Sequence, residues 1–253
     1  MPLYSSYIIC GTPRSGSTLL CEMSAASGVA GRPNSYYRQQ SILHWAEDWG
    51  IEPPNADDDV DFDRRYLPAM LRAGRNDTSI FGLRLMWGSV ADAARRLNGV
   101  YGGSADITAR FEQAFGPTLY IHLSRDDKVG QAVSLMRAEQ SGLWHLAADG
   151  SVFEGTASPQ PVVYDGQRIA ALFHELNSDD AAWGDFFQAH QIEPLRLTYE
   201  TVTADPQSAL ARILAALGQD PEIAKTVPVG TSKMGNTTSR EWSARFREEN
   251  GLT

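Results

Sequence analysis

Short apolar runs that stop at glycine or at polar tips alternate along the chain with stretches whose apolar residues recur every three to four positions, the patterns of strand and helix respectively. Ser6 to Cys10 is such a run, ended by Gly11, and Ser17 to Ser27 has helical character closed by Gly28. The chain therefore starts as strand, glycine loop, helix. FGLRLMW, Phe81 to Trp87, alternates as a strand does; Ser89 to Leu97 and Asp106 to Phe115 read as short helices, and PTLYIHL, Pro117 to Leu123, as the next strand. It ends at Ser124-Arg125, where Asp126 and Asp127 supply an N-cap and a first-turn acid for a helix to about Glu139. Ile169, Leu172, Phe173, Leu176, Trp183 and Phe187 mark a long amphipathic helix between Asp165 and His190. LRLTYE reads as a fourth strand, and Asp205-Pro206 opens a helix with core face Leu210, Ile213, Leu214 and Leu217 that Gly218 stops. A short helix is expected near Arg240 to Glu249, after an irregular polar tail from Thr226. Three stretches lack a period: GRPNSYYRQQSILHWAEDWG, the Pro/Asp-rich IEPPNADDDVDFD, which reads as a solvated loop, and residues 146–162, with the Gly/Ser/Pro content of a loop.

Strands alternating with helices predict an α/β fold: a P-loop-like central parallel sheet, flanked by helices and joined by right-handed crossovers. Ligands of such sheets bind beyond the carboxyl ends of the strands, the edge where both Gly11 to Ser17 and Arg125 fall.

Composition narrows the classes. The 253 residues, 42% hydrophobic, suffice for one core, so 1–253 is taken as a single domain. No stretch approaches the ~20 apolar residues of a membrane span, and MPLYSSYIICG has no basic region before an apolar run, so the expected location is cytoplasmic. Cys10 and Cys21 form no disulfide framework and are expected to be reduced and buried. A net charge of −9 argues against nucleic-acid or anionic-membrane surfaces. Any anionic ligand must be held by a local cluster.

IICGTPRSGSTLL offers that cluster. Gly11 and Gly16 have the spacing of a nucleotide P-loop, but Ser17 stands where the loop's lysine belongs. Glycines let the backbone curl its N–H groups inward, and the next helix adds its positive end, so an anion site persists without lysine. Arg14 supplies a fixed charge that forks onto two phosphate oxygens, and the hydroxyls of Ser15, Ser17 and Thr18 add donors. No apolar strand ends in a magnesium-holding aspartate, which favours a metal-free phosphate or sulfate ligand.

TPRSGSTLL resembles the 5′-phosphosulfate loop of sulfotransferases that use 3′-phosphoadenylyl sulfate, and Arg125 with Ser134 in SRDDKVGQAVSLMRA resembles their 3′-phosphate site. GVAGRPNSYY, GLRLMW, the QAVS helix and SREWSARFRE are similar, in order, to the bacterial trehalose 2-sulfotransferase family over nearly the whole chain. The resemblance implies a central parallel sheet, homodimers, and transfer of a sulfuryl group from 3′-phosphoadenylyl sulfate to a carbohydrate, glycolipid or other small acceptor, with adenosine 3′,5′-bisphosphate as product and no metal. It implies that Arg14, Ser15, Gly16, Ser17 and Thr18 hold the 5′ end of the donor and Arg125 and Ser134 its 3′-phosphate. Lys233, Met234, Gly235 and Asn236 loosely resemble the family's cofactor-covering loop. Where the family has acids tied to proton removal and sugar binding, this chain has Arg32 and Ser35. Arg32, with Arg38 nearby, points to an acceptor bearing a carboxylate or phosphate; specificity falls to segments 30–66 and 143–163. His44, Glu47 and Asp48 are candidate replacements for the base, histidine being the side chain type that titrates near neutrality. Arg84 stands where the family commonly has lysine and is a candidate contact for the sulfuryl group, flanked by Trp87; Tyr36 and Tyr37 either line an acceptor pocket or cover the core. Two alternatives stay open: a degenerate nucleotide-binding homologue without activity, and a P-loop phosphoryl-transfer enzyme.

Overall fold

The computed structural model describes residues 3–54, 59–146, 151–156, 158–229 and 237–252. Its centre is a four-stranded sheet of β1 (Ser6–Gly11), β2 (Phe81–Met86), β3 (Thr118–Ser124) and β6 (Leu195–Thr198), in the order β2-β1-β3-β6 and parallel throughout. Every residue of β1 is buried, as expected of a central strand covered on both faces. Its alternation splits the core in two. Tyr7 and Ile9 join the apolar faces of α1 (Ser17–Ala26) and α9 (Pro206–Ala216), whereas Ile8 and Cys10 join a larger aromatic cluster carried by α3 (Val60–Arg75), α4 (Val90–Tyr101), α5 (Ile107–Phe115) and the end of α7 (Gly166–Ala189). A third cluster joins α6 (Lys128–Ser141), α7 and α10 (Thr237–Asn250) through Val133, Met136, Ile169, Leu172 and Phe246. Trp242 packs its ring against Tyr164 and so seats the last helix.

Cys10 and Cys21 are both buried free thiols. Loss of solvent pushes both up, Cys21 to about 11, so neither is a thiolate at neutral pH. No helix of the described residues is long and apolar enough to cross a membrane.

The structure departs from the sequence pattern at five places. IEPPNADDDVDFD does not stay a loop throughout: Asp59 accepts from the Phe62 amide at 2.9 Å and starts α3, whose Phe62, Tyr66 and Met70 face the core. Asp59 is a cap and Asp61 and Asp63 lie in the first turn, where negative charge favours a helix. Within 146–162, β5 (Val152–Gly155) pairs antiparallel with β4 (Leu143–Leu146). The strand in LRLTYE ends at Thr198, whose hydroxyl caps α8 (Tyr199–Ala204) in a reciprocal capping box with Thr201. Tyr199 and Glu200 are thereby turned out of the sheet toward its carboxyl edge. The helix after Arg125 is capped by Asp127, not Asp126, and α10 is longer than its expected core.

Candidate active site

The loop after β1 is shaped by left-handed backbone at Arg14 (φ 65°) and Gly16 (φ 86°). An arginine there is uncommon, and the conformation is held from several sides. The Arg14 Nε donates to Ser134 Oγ at 3.0 Å and its Nη1 to the Trp144 carbonyl, while its own carbonyl accepts from Arg125 Nη1 at 3.2 Å. The buried amide of Gln131 donates to Thr12 Oγ1 at 2.8 Å and to the Pro13 carbonyl at 2.7 Å, bolting the loop to α6. Trp183 Nε1 donates to the Gly11 carbonyl at 3.1 Å and fixes where β1 ends. Gly11 leaves no room for a side chain, since a Cβ would lie 2.8 Å from the Leu123 carbonyl.

α1 begins without a side-chain cap, and among the described residues the N–H groups of Ser15, Gly16, Ser17 and Thr18 meet no protein acceptor. Uncapped first-turn donors at the positive end of a helix suit an anion. The hydroxyls are used differently from the sequence expectation: Ser15 is fully buried and donates to the Thr12 carbonyl at 2.8 Å, so it braces the loop, and Ser17 is buried too.

A cleft of about 1080 Å³ opens beside this loop at the carboxyl edge of the sheet. Arg14, Arg125, Arg137, Arg240 and Arg247 line it, against Asp127 and Glu200. Glu200 accepts from the amides of Asp126 and Asp127, and Asp127 Oδ1 from Arg247 Nη2 at 2.6 Å, so both acids are engaged. In a chain of net charge −9 this cleft is a local basic exception. The Arg125 guanidinium carbon lies over Tyr199, 4.1 Å from the ring centroid, and its buried Nε has no hydrogen-bond partner among the described residues. It pairs with neither neighbouring aspartate. A buried donor left open at a cleft wall fits an anionic ligand. Tyr199 also closes on Gly16, whose absent Cβ would stand 3.1 Å from its ring.

On the other side of α1, Arg84 Nε donates to Ser35 Oγ at 2.7 Å and its Nη1 to Thr18 Oγ1 at 2.8 Å. The bridge Asn34↔Leu83 adds the Ser35 segment to the free side of β2, which carries Ser35 beside Arg84. Arg84 thus joins the acceptor segment to the first turn of α1 through two hydroxyls, and no carboxylate contacts it among the described residues. Arg32 and Arg38 are exposed, Arg38 with its guanidinium 5.9 Å from the Trp144 ring.

Other sequence candidates are not brought to this place. Tyr36 and Tyr37 are core residues: both are buried, the Tyr36 hydroxyl donates to the Arg32 carbonyl at 2.7 Å, and burial pushes both phenols up. On α2 (Gln39–Asp48) His44 faces outward, its side chain 69% exposed and Nε2 3.7 Å from Asp48, outside the cleft walls. Trp87 packs edge-on against Trp183 in the core. Lys233, Met234, Gly235 and Asn236 lie outside the described residues. The sequence reading missed Gln131 and Tyr199. Gln131 had a signal, standing one turn before Ser134 on the same helix face.

Comparison with known proteins adds independent findings. A trehalose 2-sulfotransferase of Mycobacterium tuberculosis (strain ATCC 35801 / TMC 107 / Erdman) is 26% identical over 260 residues, covering 96% of this chain and 94% of its own. One from Mycolicibacterium smegmatis (strain ATCC 700084 / mc(2)155) is 27% identical, covering 97% and 95%. Among solved structures, the sulfotransferase domain of the Synechococcus PCC 7002 olefin synthase aligns over 98% of this chain and 94% of its own, with TM-score 0.46 and 16% identity. The model of the Stf0 sulphotransferase family matches residues 6–249, and the chain belongs to that family.

Proposed function

We propose that the protein transfers a sulfuryl group from 3′-phosphoadenylyl sulfate to a hydroxyl of a small acceptor. The observation that carries the donor is the direct linkage of the glycine loop to Ser134 and Arg125, with the open Arg125 Nε in a basic cleft. Arg125 and Ser134 would hold the 3′-phosphate. Arg14 and the amides of Ser15, Gly16, Ser17 and Thr18 would hold the 5′ end and stabilise the charge left on the departing phosphate. The donor supplies an activated sulfuryl group, and the residues align it with the acceptor oxygen.

Arg84 would face the sulfuryl oxygens. Among the described residues its partners are two hydroxyls and no carboxylate, and Arg32 adds positive charge on the segment that carries Ser35. Arg84 held by hydroxyls, with Arg32 exposed on the neighbouring segment, favours an acceptor that brings its own anion, so the acceptor is a carbohydrate, glycolipid or similar alcohol bearing a carboxylate or phosphate. Both curated relatives are trehalose 2-sulfotransferases, and departure from neutral trehalose is the difference that Arg32 and Ser35 introduce. A homodimer is carried by the family resemblance, and a cytoplasmic location by the sequence reading.

The test is turnover of 3′-phosphoadenylyl [35S]sulfate with matched neutral and anionic sugars. An anionic sugar is expected to exceed trehalose by about tenfold or more in kcat/KM, one charge pair contributing ~1.4 kcal/mol. Equal rates overturn the acceptor reading, and no transfer to any alcohol overturns the enzyme reading in favour of a binding homologue.

A further inference from the structure

The site leans on a group of charges that neither the glycine loop nor the cleft walls include. Lys128 is the first residue of α6. A cation at the positive end of a helix opposes the macrodipole, so its place there calls for a specific partner. It has two: its Nζ donates to the Arg125 carbonyl at 2.7 Å and to Asp180 Oδ2 at 2.8 Å. Asp180 comes from α7, and its other oxygen, Oδ1, lies 3.1 Å from His122 Nε2 on β3; Arg196 on β6 stands 3.3 Å from the remaining His122 nitrogen. Lys128 and Asp180 are 12% and 19% exposed at the side chain, and the Phe187 ring covers His122 edge-on at 5.4 Å. Burial by itself would raise the Asp180 carboxyl, but hydrogen bonds from His122 and Lys128 outweigh it and hold it below the usual carboxylate range. The carboxylate is therefore charged when it holds Lys128.

We infer that Lys128 and Asp180 are positioning residues that set where Arg125 presents its guanidinium, and hence set the preference for a donor carrying a 3′-phosphate. Arg125 sits in the turn between β3 and α6, so no helix or strand ladder fixes its backbone there; Lys128 holds its carbonyl while Tyr199 holds its side chain. A largely buried ion pair contributes little net stability, since desolvation offsets its attraction. What it does supply is a fixed position for the backbone carbonyl of the residue that carries the cleft's open donor. This inference rests on the proposed donor reading.

The experiment measures, by calorimetric titration, the affinities of adenosine 3′,5′-bisphosphate and of AMP for the full chain, for Lys128→Met, for Asp180→Asn and for the apolar double variant Lys128→Met/Asp180→Leu, with thermal midpoints alongside. In each variant the bisphosphate-to-AMP affinity ratio is expected to fall about tenfold, with AMP affinity changed less than about twofold. The double variant removes both members of the Lys128–Asp180 ion pair together, so neither is left as an unpaired buried charge, and it keeps the test alive if a single variant fails to fold. A purely structural role would lower the thermal midpoint or weaken both ligands alike and leave the ratio unmoved, which would overturn the inference. A wild-type chain that does not prefer the bisphosphate contradicts the donor reading instead.

Discussion

Replacing Arg14 with alanine is expected to lower kcat/KM for sulfuryl transfer about 10²- to 10³-fold, the usual loss when one preorganised donor to a developing negative charge is removed. Its guanidinium reaches from the glycine loop to Ser134 on α6 and to the Trp144 carbonyl on β4, so the charge is oriented before any ligand arrives. Reorganisation during reaction is then small. Alanine and arginine meet similar strain at φ 65°, so the substitution leaves the backbone cost nearly unchanged. Arg14→Lys is expected to restore only part of the loss, because an ammonium is a point charge that cannot fork. Steady-state kinetics beside a melting curve check this: a large loss of turnover with a thermal midpoint within about 2 °C of wild type supports the assignment. Full activity in Arg14→Ala would remove the loop from the reaction.

The largest stability effect is expected at Gly31. Its φ is 68°, and an added Cβ would stand 2.3 Å from the Ile80 carbonyl and 2.5 Å from that of Gly74. Both obstacles are backbone, one leading into β2 and one near the end of α3, and the next amide, Arg32 N–H, already donates to the Gly74 carbonyl at 2.7 Å. Gly31→Ala therefore adds a steric conflict to a left-handed penalty, about 3 kcal/mol or more in all, or some 6–12 °C for a chain of this size. Gly28 is the control. It has nearly the same φ, 69°, with nothing within 4 Å of an added Cβ, so Gly28→Ala should cost only about 1 kcal/mol. Thermal melts of the two variants separate strain from crowding, and equal losses would show that the close approach at Gly31 relaxes freely. Because Gly31 also seats the segment that delivers Ser35 to Arg84, its variant should lose acceptor turnover before it loses bisphosphate binding.

The scaffold of the site was legible where a pattern has one physical meaning. The apolar run to Gly11, the Gly11 and Gly16 spacing and the long period through Trp183 could hardly be anything but strand, loop and helix, and the structure brings Arg14, Arg125 and Ser134 together as the two junctions suggested. Where one pattern has two meanings the reading failed. Asp59, Asp61 and Asp63 look like a solvated loop but begin α3, and the Gly/Ser/Pro run near 150 hides a short hairpin strand. In the aperiodic 30–50 segment nothing in the order of residues says which side chains face inward, so Tyr36 and His44 both stay open as pocket residues; packing against Trp45, Trp49 and Tyr66 decides that Tyr36 is core, and exposure decides that His44 faces out. The Lys128 and Asp180 pair, 52 positions apart, carries no local signal at all.

Recognition of a 3′-phosphate by Arg125 and Ser134 is what the proposed donor requires of the cleft. Isothermal titration of wild type and Arg125→Ala with adenosine 3′,5′-bisphosphate and with AMP tests it most directly. The account predicts that wild type binds the bisphosphate at least about tenfold more tightly than AMP, one charge-assisted contact contributing ~1.5–3 kcal/mol, and that Arg125→Ala binds the two alike. Equal affinities in the wild-type protein, or a preference that survives Arg125→Ala, would contradict it.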